Sequence, residues 1–313
     1  MQIRNLGRTG LKVSALCLGT NTFGRTSDQA ASNAVLDAFV EGGGNFIDTA
    51  DVYTRGESEI VLGNWICERN NRHSVVVATK VGLPMGDAPN ERGLSRQHIM
   101  DGVEASLRRL QTDHIDLYQA HRDDRDTKME EMLRAFDDLV RQGKVRYIGA
   151  SNYVAWRLAE ALGESKYHDC VAFESLQPLY NLYSREEYER DLEDLCRARG
   201  LGVITYSSLA SGFLTGKYRR GQSMPASHRA TGVERQYFNE RGWKILDAIV
   251  RVGAAHGATP AQVSLAWIIQ RPGMTAPIAS ATTPAQVKEL LDATDLHLEA
   301  DALAELDRDS AWR

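Results

Sequence analysis

No run of 18 or more apolar residues occurs in the 313-residue sequence, which excludes a hydrophobic membrane-spanning helix. The opening MQIRNLGRTG lacks the apolar stretch of a signal peptide, and the expectation is a cytoplasmic protein. Cysteine is scarce. Cys17, Cys67, Cys170 and Cys196 show neither CxxC spacing nor histidine-rich surroundings, which argues against a disulfide framework and a zinc site; they read as small hydrophobic filler. A strong charge imbalance is also missing. With a formal net charge of -5 and a pI near 5.9, neither nucleic acid nor an anionic membrane is an expected partner, and any anion site has to be local. No repeat longer than a strand-helix unit, no low-complexity linker and no composition shift marks a second domain, so residues 1–313 read as a single barrel domain.

What the chain does contain is a rhythm. Eight short apolar runs, at 15–21, 45–50, 75–80, 115–121, 145–152, 171–177, 202–208 and 276–283, each end in polar or glycine-rich residues and alternate with helix-like segments. Near-continuous hydrophobic strands separated by crossover helices indicate parallel pairing with both faces covered. Eight such units predict an α/β fold, a (β/α)8 TIM barrel, whose strand C-terminal ends open on one face. QIR and KVSAL around LGRTG read as an N-terminal β-hairpin closing the barrel bottom, and the polar segment 207–242 as a long loop after strand 7 on the catalytic face. The predicted helices cover 28–41, 58–69, 96–109, 128–142, 155–166 and 184–199, with further ones near 243–256, 260–270 and 300–308. In the fourth, Met132, Leu133, Phe136, Leu139 and Val140 form the core stripe, with Asp137 and Asp138 on the polar side.

The chemistry concentrates in DTADVY (48–53), VATK (77–80) and YQAH (118–121). Tyr53 is a weak acid unless its phenolate is stabilised, and a lysine ammonium at Lys80 does that. Asp48, ending the neighbouring strand, holds that lysine charged, and His121 stands across the mouth to donate to an oxygen on which negative charge builds. The set lacks a nucleophile and a metal cluster, so a bound cofactor is expected to carry the chemistry. No His-x-His follows strand one, which argues against a metal-dependent hydrolase on the same barrel. Ser151 and Asn152 suit a helix cap as well as a ligand, Tyr206 suits wall packing, and Phe23 and Trp156 suit core or pocket equally. The run His121 to Asp126 reads as a solvated loop beyond the histidine.

With those residues, the flanking GASN (149–152), Gln177 and YSSLASGFLTGKY (206–218), the sequence resembles the aldo-keto reductase superfamily over nearly its whole length, in the subgroup of bacterial reductases and potassium-channel β subunits. The resemblance implies NADPH-dependent reduction of an aldehyde or ketone, with NADH possible, and with Asp48, Tyr53, Lys80 and His121 catalytic. It places Phe23, Tyr53 and His121 on the substrate wall. Ser151, Asn152 and Gln177 would hold the nicotinamide carboxamide and Tyr206 would stack on its ring. Gly19, Thr20, Ser207, Leu209, Gly212, Lys217 and Arg229 are further implied cofactor contacts, the last two approaching its phosphates. Ser280, Thr282, Gln286 and Glu289 match the adenosine end. There the chain departs from many relatives, with Ser280 for Gly, Thr282 for a cation and Leu290 for Asn, and Asn21 stands where Met is frequent. The partner implied is a small-molecule carbonyl compound. An NADP-binding regulatory subunit of a membrane protein is the competing reading, and no motif sets an oligomeric state.

Overall fold

The computed structural model describes residues 1–224 and 230–313. Its strands are β1 (Ile3–Asn5), β2 (Lys12–Ser14), β3 (Cys17–Gly19), β4 (Phe46–Asp48), β5 (Val76–Val81), β6 (Ile115–Ala120), β7 (Val145–Ser151), β8 (Phe173–Gln177), β9 (Gly202–Thr205) and β10 (Met274–Ala279). β3 to β10 close into an eight-stranded parallel barrel in chain order, with β10 returning to β3. The expected (β/α)8 barrel is what forms. Its cause is visible in β5 and β6, buried at every position, which leaves no polar face to direct toward water.

The helices are α1 (Gln29–Glu41), α2 (Glu57–Arg69), α3 (Arg96–Leu110), α4 (Met129–Arg141), α5 (Ala155–Tyr167), α6 (Glu193–Arg199), α7 (Ala230–Tyr237), α8 (Glu240–His256), α9 (Pro260–Ile269), α10 (Pro284–Asp292) and α11 (Ala300–Asp309). Local sequence starts several of them. The Asp28 side chain caps α1 by accepting from Ala31 N, and Thr259 with Gln262 forms a reciprocal capping box on α9, where Pro260 fits the first turn. In α4, Met132, Leu133, Phe136 and Leu139 are buried as the stripe predicts. Asp137 is buried too, against expectation, because its Oδ1 accepts from Val171 N at 2.9 Å. The segment before α6 opens with a π turn, Tyr188–Leu192, within which Glu189 accepts from Tyr180, Arg185 and Trp312.

β1 and β2 pair antiparallel as the bottom plug. Arg4 Nη1 donates to Met274 O at 3.0 Å, at the start of β10, while Leu6 and Val13 join Cys17, Phe46, Leu117 and Ile204 in the barrel interior. Gly7 in the hairpin turn has φ +56°, and a Cβ there would lie 2.4 Å from Gly202 N, so only glycine fits. In the long connection after β9 the described residues include a 3-10 turn (Ala210–Thr215) and α7, with the Phe213 ring stacked on Tyr237 at 5.3 Å and edge-on to Trp243. Cys17 and Cys196 are buried filler, whereas Cys67 is exposed and Cys170 half-buried.

Candidate active site

Register decides which side chains meet. Asp48 is level with Ala78, so Lys80, one pleat period further along β5, faces the same interior; Lys80 is level with Gln119, and Ser151 with Gln177. At this end the fully buried Lys80 spends its three N–H donors on three acceptors. Nζ donates to Asp48 Oδ1 at 2.6 Å, to Thr49 O at 2.7 Å and to Tyr53 Oη at 3.2 Å. Asp48 Oδ2 accepts from Gln177 Nε2 at 2.9 Å and from Gln119 Nε2 at 3.2 Å. The carboxylate is thereby compensated on both oxygens, the condition under which a buried charge pair survives.

Burial works against the Lys80 ammonium, yet Asp48 and Tyr53 outweigh it and hold the lysine protonated well above its ordinary range. Burial pushes the Tyr53 phenol up; Lys80 pulls it down but does not win, so in the protein alone Tyr53 is a weaker acid than a free tyrosine. The expected direction of the lysine's influence is present, and its net dominance is not. His121 stands edge-on to the Tyr53 ring, 6.1 Å between centroids, and its buried Nδ1 has no hydrogen-bond partner among the described residues. Burial, with the cations Lys80 and Arg122, lowers the imidazole from 6.5 to about 3, so it is neutral and one nitrogen carries a proton to donate. After Tyr53 the chain takes two left-handed residues, Thr54 (φ 51°) and Arg55 (φ 55°), before entering α2; such strain persists only where surrounding structure fixes it.

On the adjoining rim, Asn152 at φ +57° donates to His121 O at 2.9 Å and to Ser151 Oγ at 3.0 Å, and accepts from Tyr206 Oη at 2.8 Å. Neither Ser151 nor Asn152 caps α5, whose first-turn cap position is Val154 with no side-chain bond, so the capping alternative falls away. Ser151 Oγ donates to Gln177 O at 2.9 Å. Lys217 lies beside Gly212 (φ +91°), where a Cβ would meet its Nζ at 3.1 Å, and over the Tyr218 ring. Ser207 is left-handed and its carbonyl accepts from Asn181; Leu209 is half-buried. Ser280 Oγ donates to Asn21 Oδ1 at 3.0 Å, and Thr282 gives both N and Oγ1 to Gln286 Oε1, with Glu289 half-buried further along α10. Arg229 lies outside the described residues.

Two expected contacts are corrected. Phe23 has no exposed surface and packs in the core, so it is no pocket wall. Thr20 is fully buried with its hydroxyl bonded to Ser58 Oγ and Asp48 O, its N–H to Asp48 O, and its carbonyl to Ser58, so no group is left for a ligand. Gly19, also buried, instead lets β3 approach β10: a Cβ would meet Ile278 and Ser280 below 3.0 Å.

Matching the Aldo/keto reductase family over residues 15–310, the sequence carries this strand-end cluster within the family's own span. The chain belongs to that family. As an aldo/keto reductase it is an oxidoreductase, and members generally draw on NAD(P)H. It is 37% identical over 313 residues to "Uncharacterized oxidoreductase YrpG" of Bacillus subtilis (strain 168), covering 97% of this chain and 94% of the relative. A "Probable voltage-gated potassium channel subunit beta" of Arabidopsis thaliana is 36% identical, covering 95% and 92%. "Protein tas" of Escherichia coli (strain K12) is 34% identical, covering 98% and 97%. Among the described residues no helix is long and apolar enough to cross a membrane.

Gln119 of this reductase escaped the sequence reading, although it sits two residues before His121 and so points to the same side of β6. Asp51 was missed as well. It is buried, and neither carboxylate oxygen has a hydrogen-bond partner among the described residues; near it Glu59 is satisfied by Arg109 and Thr79 at 2.7 and 2.6 Å. Trp156 is 60% exposed between Arg125 and Arg157, in a groove of about 470 Å³ between α4 and α5 that none of the four catalytic candidates lines.

Proposed function

We propose that this aldo/keto reductase, acting as one unit over residues 1–313, reduces an aldehyde or ketone to the alcohol with NADPH. The observation that carries the reading is the convergence of Lys80 Nζ on both Asp48 Oδ1 and Tyr53 Oη. The nicotinamide, when bound, supplies the hydride that reaches the carbonyl carbon. Tyr53 gives its Oη proton to the carbonyl oxygen as charge develops there; Lys80 stabilises the phenolate left behind, which takes its next proton from water. Neutral His121 donates an N–H to the same oxygen, and Asp48 keeps Lys80 oriented and charged.

The residues present fit the cofactor. Ser151, Asn152 and Gln177 offer hydroxyl and amide groups beside the half-buried Tyr206 ring, and Gln177 Oε1 accepts no hydrogen bond among the described residues, a combination suited to a carboxamide on a flat heterocycle. Lys217 offers a cation to a phosphate. The likeness to plant proteins named as channel β subunits supports a second reading, a barrel that keeps the nucleotide and serves a membrane partner. A panel of aldehydes and ketones assayed by loss of reduced-nicotinamide absorbance tests the function: turnover of at least one carbonyl is expected, and none across the panel favours the second reading.

A further inference from the structure

Gln119 has no exposed surface, and nothing in the proton transfer uses it. Its side chain is nonetheless held in a defined place between β6 and β8. Gln119 is level with Gly149 of β7, the strand that separates those two, and a Cβ on Gly149 would lie 3.2 Å from Gln119 Cγ and 2.5 Å from Ser175 Oγ. The missing side chain leaves a gap through which Gln119 reaches across β7 to Gln177, whose Nε2 donates to Gln119 Oε1 at 3.2 Å.

These bonds fix which end of each amide faces which way. A carboxylate oxygen only accepts, so both glutamines turn their NH2 ends toward Asp48 Oδ2, Gln177 at 2.9 Å and Gln119 at 3.2 Å. That bond alone would leave the Gln177 amide free to swing about the N–H···O axis. By taking the second N–H, Gln119 Oε1 fixes the amide plane, and both donors of Gln177 are then spent within the protein. What remains is Gln177 Oε1, which accepts nothing among the described residues and is not one of the atoms sealed in the interior without a partner. Ser151 Oγ, donating to Gln177 O at 2.9 Å, holds β7 and its Ser151–Asn152 pair beside that amide.

We infer that Gln119 is a positioning residue for the cofactor: it holds the Gln177 amide oxygen as an acceptor, so that the site selects a pyridine ring bearing a carboxamide N–H over one whose substituent has none. Gln119 acts only through Gln177 and Asp48. The selectivity follows from the donor count, because an acceptor that meets a methyl group in place of an N–H loses a hydrogen bond and gains nothing in return. The inference rests on the nicotinamide-binding part of the proposed function and adds to it a residue that needs no contact with the nucleotide.

The test compares dissociation constants, from quenching of tryptophan fluorescence, for NADPH and for its acetylpyridine analogue, which carries a methyl group where the carboxamide has NH2. Wild type is expected to bind NADPH about tenfold more tightly, the worth of one hydrogen bond that the analogue cannot make. Gln119→Met, similar in length but unable to accept the Gln177 N–H as an amide does, should bring that ratio close to one, chiefly by weakening NADPH, with circular dichroism verifying the fold. Gln119→Asn keeps an amide in the core but is one methylene short of Gln177, and it should lose the preference in the same way. Equal affinities in wild type, a ratio unaltered in the variants, or equal weakening of both nucleotides, which a merely structural role would give, overturns the inference. No binding of NADPH to wild type overturns the cofactor reading and the inference together, whereas a preference lost as expected in a protein that turns over no carbonyl overturns the reduction reading and leaves the inference standing.

Discussion

Gln177 Nε2 donates to Asp48 Oδ2 at 2.9 Å across 129 residues of sequence. The bond ties a residue expected at the nicotinamide to the carboxylate that holds Lys80, so cofactor side and proton side share one buried network. Gln177→Leu removes one of the Asp48 donors and leaves part of a buried carboxylate unsatisfied, a loss of about 1–3 kcal/mol. Thermal unfolding should show a lowered Tm, and titration a weakened NADPH affinity. A variant with wild-type Tm would show that the bond contributes nothing.

Lys80→Met strands the buried Asp48 and should cost on the order of 3–5 kcal/mol, whereas adding Asp48→Asn should recover much of the Tm because no lone charge remains. Activity should stay low in both. Since Lys80 pulls the Tyr53 phenol down against burial, its loss should move the high-pH limb of alcohol oxidation upward. An unmoved limb in the folded double variant would make Lys80 purely structural.

Burial pushes Asp51 up from 3.8 to about 7, reinforced by Glu59 and opposed by the Val52 N–H, Arg109 and Lys80. Between those values the folded state binds a proton that the unfolded chain has released, so this group makes stability fall as pH rises from about 4 to 7, levelling above. Asp51→Asn abolishes the dependence. The stability advantage of the variant should grow by about 2–3 kcal/mol between pH 5 and pH 8, at roughly 1.4 kcal/mol per unit. Parallel stability curves over that range would show that Asp51 ionises freely.

We propose that cofactor choice turns on Lys217 and on Arg229, the latter outside the described residues. If both cations serve a 2′-phosphate, NADPH should be favoured over NADH by about ten- to a hundredfold, with the neutral Thr282 hydroxyl limiting the preference. Dissociation constants from tryptophan quenching decide it, and equal values, or no effect of Lys217→Ala on NADPH, would remove the clamp.

Strands were legible in the sequence because the barrel strands are buried at nearly every position, Arg146 of β7 being exposed and Tyr147 and Glu174 half-buried, so a short, mostly apolar run was enough to find each. Asp48, Lys80 and His121 were legible for a related reason: parallel register brings strand ends to one face whatever their separation along the chain. Thr20 and Phe23 were misplaced because exposure just beyond a strand end depends on what packs there, in this case Ser58 of α2 and the core, and no local pattern encodes that. The Glu59–Arg109 pair spans 50 residues and joins α2 to α3, a tertiary match without a sequence signal. Asp123 and Asp124 looked solvated for the same reason, their partners Arg157 and Leu94 being distant in sequence.

The central claim is that the Tyr53 hydroxyl gives the proton. Single-turnover reduction of an accepted aldehyde by NADPH-loaded protein, compared with Tyr53→Phe, tests it most directly, because the ring is retained and product release does not enter. The rate constant should fall by roughly two to four orders of magnitude while NADPH affinity is preserved. A variant keeping more than a tenth of the wild-type single-turnover rate would contradict the assignment.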